Sequence, residues 1–243
     1  MKLTFNLTNV SVDLDLPDNA KYRSQLLNQN GNFGLKSNTD DAELAIAIVK
    51  NYTPILDRLI KYLPKLDNIT ILDIGSGNSI IDLVIGKIFP NATFILLDGD
   101  ESNNNPILHS VKFKPYNKWI HVSDTITLNH LDADRFKFVG LDYDFKDLLQ
   151  YVISYGSCGL HYPVETYISK IQSALDIDGM VLFGPILNIN SQLQAMDHLF
   201  KPIELIELLN FANRATNQMT AWQEHFPTNF VGTFAHAGVW QKR

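Results

Sequence analysis

The segment ITILDIGSGNSIIDLVIGKIF, Ile69 to Phe89, leaves the chain little choice of fold. An apolar run ends on Asp73 and Ile74, and Gly75 and Gly77 then force a sharp turn. The apolar spacing from Ser79 to Phe89 next turns helical. A second apolar run, Thr93 to Leu97, ends on Asp98. Strand, glycine turn, helix, strand is the order of a βαβ unit, which demands a parallel sheet with a right-handed crossover. A first strand apolar on both faces is expected to lie inside that sheet.

The flanking sequence extends the same α/β pattern. Alternation in LTFNLTNVSVDLDL predicts a short strand or hairpin arm before Pro17, followed by a polar stretch from Asn19 to about Asp40. We therefore divide the chain into an N-terminal extension or arm, residues 1–40, and one domain, residues 41–243. Leu44, Ile48, Tyr52, Ile55, Leu59 and Leu63 read as helix, with Asp40 or Asp41 as cap and Pro54 able to kink it or begin a second segment. Further strands are expected at 136–141, 151–154 and 180–183, with a helix at 164–175 and a turn at Asp178 and Gly179. A helix around 203–212 and two strand-like pieces, 219–226 and 230–239, complete a seven-stranded sheet. Its antiparallel edge pair is expected to be packed by Phe226, Phe230 and Phe234.

Composition narrows the partners. A length of 243 residues suits one well-buried core, and 45% hydrophobic with 19% charged residues is globular composition. The net charge of -6 offers no long-range attraction to phosphate backbones or anionic bilayers, so neither nucleic acid nor membrane is the expected partner. The N-terminal MKLTFNLTNVSVDLDLPDN lacks the apolar core of a secretory signal, and the chain reads as cytoplasmic. The single cysteine, Cys158, excludes an internal disulfide and a cysteine-ligated iron-sulfur cage. His109, His121, His130, His198, His225 and His236 do not form the close spacings of a zinc site, and no metal is expected.

The glycine turn and Asp98 together describe an adenosine site. Gly75 and Gly77 let a ligand approach backbone N–H groups, and a carboxylate at the end of the next strand can accept from both ribose hydroxyls. A dinucleotide would use the same carboxylate, so the residues after Gly77, together with Asp73, decide between the two. Ile80 stands where the pyrophosphate-binding pattern needs its third small residue, and Asp73 is a poor neighbour for a pyrophosphate. A carboxylate at Asp73 can instead pair with a cationic amine. These positions favour S-adenosylmethionine (SAM) over NAD.

ILDIGSGNS followed by FILLDGD resembles the first two motifs of class I SAM-dependent methyltransferases, across about residues 51–239. The resemblance implies a Rossmann-like doubly wound α/β sheet of seven strands in the order 3-2-1-4-5-7-6, with the seventh antiparallel. It also implies cofactor contacts from Asp73, Gly75, Ser76, Gly77 and Asp98, to which we add Gly99 and, at the fourth strand end, Ser154. The sequence departs from the family at Asn78 and Ser79, where many members carry a further glycine. NYTPIL, LDIGSGNSIIDL, LLDGD, FKPYN and SYGSCGLHYPVETY together resemble a bacterial branch labelled sugar O-methyltransferases. That likeness implies that Tyr52, Asp82, Tyr116, Asn117 and residues 157–163 surround the cofactor and substrate. The sugar label itself is fold analogy.

Two later strand ends complete the candidate site. In LDYDF either Asp142 or Asp144 can accept the adenine amino group, and Asp142 is preferred because it is nearer the strand end. After the fourth strand, SYGSCGLHYPVETY brings chemically dense side chains to the edge where open parallel sheets bind ligands. His161 is the candidate base for a hydroxyl acceptor, against a purely structural hydrogen bond, with Tyr155 and Glu165 as orienting groups. Glu165 also suits a helix N-terminus, and Tyr162 a lid over the ligand. Tyr116, Asn117 and Tyr162 are assigned to the substrate, whose expected class is a small molecule. The rival expectation is a SAM-binding regulatory or interaction protein that transfers nothing.

Overall fold

The computed structural model describes residues 1–30, 38–63, 68–99, 118–158, 164–186, 189–208 and 235–243. These fall into two compact units, Met1–Tyr143 and Asp144–Arg243.

The first unit opens with β1 (Lys2–Asn6) and β2 (Ser11–Asp15), an antiparallel hairpin in which Lys2 faces Asp15 and Asn6 faces Ser11. Strict alternation buries Leu3, Phe5, Val12 and Leu14 on one face. The polar residues pair with one another on the other face, where Lys2 meets Asp13 at 2.7 Å and Ser11 donates to Asn6 at 2.9 Å. Helix α1 (Ala20–Asn30) follows in the stretch expected to be merely polar. Asn19 Oδ1 starts it by accepting from the amides of Lys21 and Tyr22, and Tyr22 and Leu26, one turn apart, are buried. Two large buried apolar residues among its described side chains make too weak a period to read from sequence.

Helix α2 (Asp41–Tyr62) starts at Asp40, whose side chain accepts from Glu43 N, and runs through Pro54 without a second start. Its buried stripe is Leu44, Ile48, Tyr52, Ile55, Leu56 and Leu59. The βαβ unit then appears as β3 (Thr70–Ile74), α3 (Ile80–Ile88) and β4 (Thr93–Leu97), with β3 and β4 parallel and Ile74 opposite Leu97. Helix α4 (Trp119–Leu128) leads to β5 (Phe136–Val139), which pairs parallel to β4. The hairpin packs onto this layer, β1 against α2 and β2 against α3. Asn129 fixes it to the end of α4 by bonding both the N–H and the C=O of Asp15, at 2.9 and 2.7 Å.

In the second unit β6 (Leu149–Tyr155) pairs parallel to β7 (Leu175–Ile186), with α5 (Ile168–Ala174) between them in sequence. The expected turn at Asp178 and Gly179 is an excursion inside β7: Leu149 pairs with Leu175, yet Tyr151 pairs with Met180. Asp178 takes a φ of 62° there. Helix α6 (Ile189–Leu199), β8 (Phe200–Leu208) and β9 (Ala235–Lys242) follow, and β9 runs antiparallel to both β7 and β8. The helix expected around 203–212 is therefore corrected, because its described part is strand β8. FKPIELIEL fits either period, and pairing along β9 decides it. Pro202, which has no N–H to donate, suits a strand at a sheet edge. The edge pair exists as β8 and β9, whereas residues 219–226, Phe230 and Phe234 lie outside the described residues.

The seven strands run β5-β4-β3-β6-β7-β9-β8. Counted from β3 as the first, this is the order 3-2-1-4-5-7-6 with the seventh antiparallel, the Rossmann-like methyltransferase fold.

One residue closes the end of α3 remote from the glycine turn. Arg135 donates to the carbonyls of Ala92 at 2.8 Å, Phe89 at 2.7 Å and Gly86 at 3.1 Å. Its guanidinium lies over the rings of Phe94 and Phe136, which stack 4.8 Å apart. It thereby adds donors to carbonyls at the end of the helix and in the turn just beyond it. Arg135→Ala is expected to lower folding stability by about 2–4 kcal/mol, measured by urea unfolding, because three bonds to a charged donor are lost together.

Candidate functional site

Parallel pairing brings β3 and β4 to an end at the same level, and the backbone after them is tied together there. Gly75 turns with φ 76° and its amide donates to Leu97 O at 2.7 Å. Gly77 follows at φ 56°, and its amide donates to Asp98 Oδ2 at 2.6 Å. The other carboxylate oxygen of Asp98 accepts from Gly99 N, also at 2.6 Å. Asp98 is half-buried, and its own amide donates to Val139 O at the end of β5, at 3.3 Å. Asp73, Gly75, Ser76, Gly77, Asp98 and Gly99 are thus brought together at the C-terminal edge of the sheet.

The two departures from the glycine pattern have different outcomes. Ser79 adopts the left-handed conformation, φ 51° and ψ 28°, that a glycine would take without cost. It then starts α3: its amide donates to Ser76 O and its carbonyl accepts from Leu83 N. Its side chain makes no capping bond, and Oγ has no hydrogen-bond partner although Ser79 is only 1% exposed. Asn78 is equally buried beside it, and Ile80, the first residue of α3, is buried at the position where a pyrophosphate site needs a small residue.

Beneath the turn lie two acids. Asp73 is 4% exposed and Asp82, in the first turn of α3, is fully buried. The two carboxyls are within hydrogen-bonding reach of each other, while Asp73 Oδ1 and both Asp82 oxygens meet no donor from another residue. Burial, then the Asp82 charge, then that of Asp98 hold the Asp73 carboxyl well above the usual carboxylate range. Burial pushes Asp82 up to about 7 against the opposing bonds from Asp73 and its own amide. Nothing in the composition signals that two acids nine residues apart in sequence would meet.

The remaining candidates divide by location. Asp142 is exposed just after β5, with Oδ1 folded back near Gly140. Asp144 is exposed in the second unit, 3.9 Å from Lys146. Ser154, fully buried in β6, accepts the amide of Cys158 at 2.9 Å, which closes the turn through Gly156 at φ 79°. Tyr155 is half-buried at the end of β6, and Glu165 is exposed in a short 3-10 turn over Val164–Thr166. His161, Tyr162, Tyr116 and Asn117 lie outside the described residues. Among the described residues no cluster of acids, histidines or cysteines is arranged to hold a metal, and no helix is long and apolar enough to cross a membrane.

Solved structures share this fold. StiE O-MT residues 961-1257 superpose with a TM-score of 0.58 at 12% identity, over 99% of this chain and 89% of that one. Geranyl diphosphate C-methyltransferase from Streptomyces coelicolor A3(2), solved with Mg2+, geranyl diphosphate and S-adenosyl-L-homocysteine, gives 0.57 at 13% identity, over 93% of this chain and 100% of that one. The [4+2]-cyclase SpnF gives 0.55 at 12% identity, over 94% and 98%. No protein-family model matches the chain, and no curated protein matches its sequence.

Ser79→Gly is expected to raise stability by about 0.5–1 kcal/mol, read as a higher Tm. The left-handed strain of a non-glycine residue, roughly 1–2 kcal/mol, is relieved, and the greater freedom of glycine in the unfolded chain offsets part of it.

Proposed function

We propose that the chain binds SAM at the Gly75–Gly77 turn and transfers its methyl group to a hydroxyl of a small molecule, with sugars the first acceptors to test. The observation that carries this reading is the clasp on Asp98. The amides of Gly77 and Gly99 hold the two oxygens of Asp98 in place just past the end of β4, where a strand-end carboxylate can accept from a ribose diol. Asp73 supplies a buried acid without a cation among the described residues, suited to the ammonium of the methionine portion. Asp142 is assigned to the adenine amino group and Ser154 to the cofactor rim. The label O-MT on one structural neighbour and the S-adenosyl-L-homocysteine held by another support the same cofactor and chemistry.

When bound, SAM supplies a methyl group already activated by the adjacent sulfonium charge. The residues of the chain then have to align the acceptor and take its proton. We assign the proton to a ring nitrogen of His161, with Tyr155 and Glu165 orienting, and the acceptor's contacts to Tyr116, Asn117 and Tyr162. The net charge of -6 favours a small acceptor over a nucleic acid.

A second reading has an observation of its own. A neighbour with the same fold is named for a [4+2] cyclisation, so the fold alone does not require methyl transfer. A SAM-binding protein that transfers nothing belongs to the same class of alternative. Production of S-adenosylhomocysteine across a panel of sugars, hydroxy acids, phenols and amines separates these readings, and none with any acceptor favours the second.

Isothermal titration is expected to give stoichiometric SAM binding and no NAD binding; the reverse pattern would remove the cofactor assignment. Asp98→Ala is expected to weaken SAM binding by at least about tenfold, because the ribose acceptor and the anchor of Gly77 are lost together. His161→Ala is expected to keep SAM affinity and lower turnover about a hundredfold with the identified hydroxyl acceptor. Turnover near wild type would remove His161 from the chemistry.

A further inference from the structure

Asp73 and Asp82 are an unusual pair to find under a backbone turn. Asp73 lies near the end of β3, Asp82 projects from the first turn of α3, and both are shut away from water. No lysine or arginine acts on either carboxyl among the described residues. Lys87, the cation of α3, lies at its far end and donates to Asp13 O. On the packed neighbours, Asp57 of α2 accepts from Thr8 and Asp13 of β2 pairs with Lys2. Asp98 adds only like charge. Ser79 Oγ, at the head of the helix bearing Asp82, is a further buried polar atom without a partner.

Two bare carboxylates cannot hydrogen-bond to each other, because neither has a proton to donate. Like charges in contact and out of water also cannot both be ionised cheaply. A proton retained on the pair answers both problems: one carboxyl becomes a donor and the other its acceptor. The same place suits a different positive group, provided it brings its own donors.

We propose that Asp73 and Asp82 together form the site for one organic ammonium, that of the cofactor's amino-acid portion, and that its arrival displaces a proton from the pair to solvent. This rests on the SAM reading above and adds Asp82, beneath the turn, as a group whose charge state changes on binding. The balance is one ammonium in and one proton out. At pH values below about 7, to which burial pushes Asp82, the pair still holds the proton and binding is coupled to its loss. Above that pH the anion already exists and the coupling fades. The two carboxyls titrate as a unit, so the proton belongs to the pair and not to either residue.

Titrating the protein with SAM and with S-adenosylhomocysteine at pH 6, in buffers of differing ionisation enthalpy, counts the protons directly. The expected result is about one proton released per ligand, with affinity rising about tenfold per pH unit between roughly 5.5 and 6.5 and levelling above about 7.5. Replacing both acids, Asp73→Asn with Asp82→Asn, should abolish the release and the pH slope, because Asp82→Asn alone leaves Asp73 buried and raised. A second measurement needs no ligand. A folded state that holds protons the unfolded chain gives up loses stability as pH rises, so the wild-type Tm should fall between about pH 5 and 8 more steeply than that of Asp82→Asn. SAM binding with no proton released at pH 6, release that persists when both acids are replaced, or equal Tm slopes overturn the inference alone. An absence of SAM binding at every pH overturns the cofactor reading with it.

Discussion

The hydrogen bond from Gly77 N–H to Asp98 Oδ2 is the contact on which the architecture of the first unit converges. It exists because β3 and β4 pair in parallel and end together, Ile74 beside Leu97, so that the turn after one strand meets the residue after the other. Parallel pairing in turn requires the crossover through α3, and α3 cannot start until the chain has reversed through Gly75, Gly77 and Ser79. Each step is cheap only if the others are in place. A carboxylate held from one side by two amides is also rigid, which is what a site must be if it is to recognise a diol without first having to order its own side chain.

How much of this is legible in the sequence depends on how local each cause is. The βαβ unit, its glycine turn and the acid at Asp98 are readable because strand and helix periods and the positions of Gly75 and Gly77 are properties of a dozen adjacent residues. The left-handed conformation of Ser79 is not: serine carries no signal for it, and only the path from Gly77 into α3 imposes it. Helix α1 is hidden because Tyr22 and Leu26 are the only large apolar side chains buried among its described residues. The segment Phe200–Leu208 invites the wrong period because IELIELL satisfies both, and its partner strand begins at Ala235, too far along the chain for local pattern to reveal.

The candidate site is legible on its cofactor side and far less so on its acceptor side, for the same reason. The proposed adenosine recognition uses backbone geometry and one carboxylate at a strand end, both fixed by the sheet. Acceptor recognition would use side chains carried on loops, where the fold sets the starting point but not the path. Ser154 shows how a residue identity can mislead there: its hydroxyl takes the amide of Cys158 and closes the turn after β6, a structural task at a position that equally suits a ligand contact.

The two ends of α3 contrast in how their polar groups are treated. At the C-terminal end, Arg135 reaches three carbonyls and two aromatic rings, and little is left unmatched. At the N-terminal end and the strand end beside it stand a non-glycine residue in a left-handed conformation and, among the described residues, a buried hydroxyl with no partner and two buried acids with no cation. Each of these lowers stability, and a helix of nine residues flanked by well-packed strands gives no packing reason to concentrate them at one end. Strain and unmet polarity gathered at one point, with the opposite end well satisfied, are what a site looks like when its missing partner is a ligand. The chemistry of the unmet groups, two buried acids without a cation among the described residues, suits a donor-rich cation, which an ammonium is and a pyrophosphate is not.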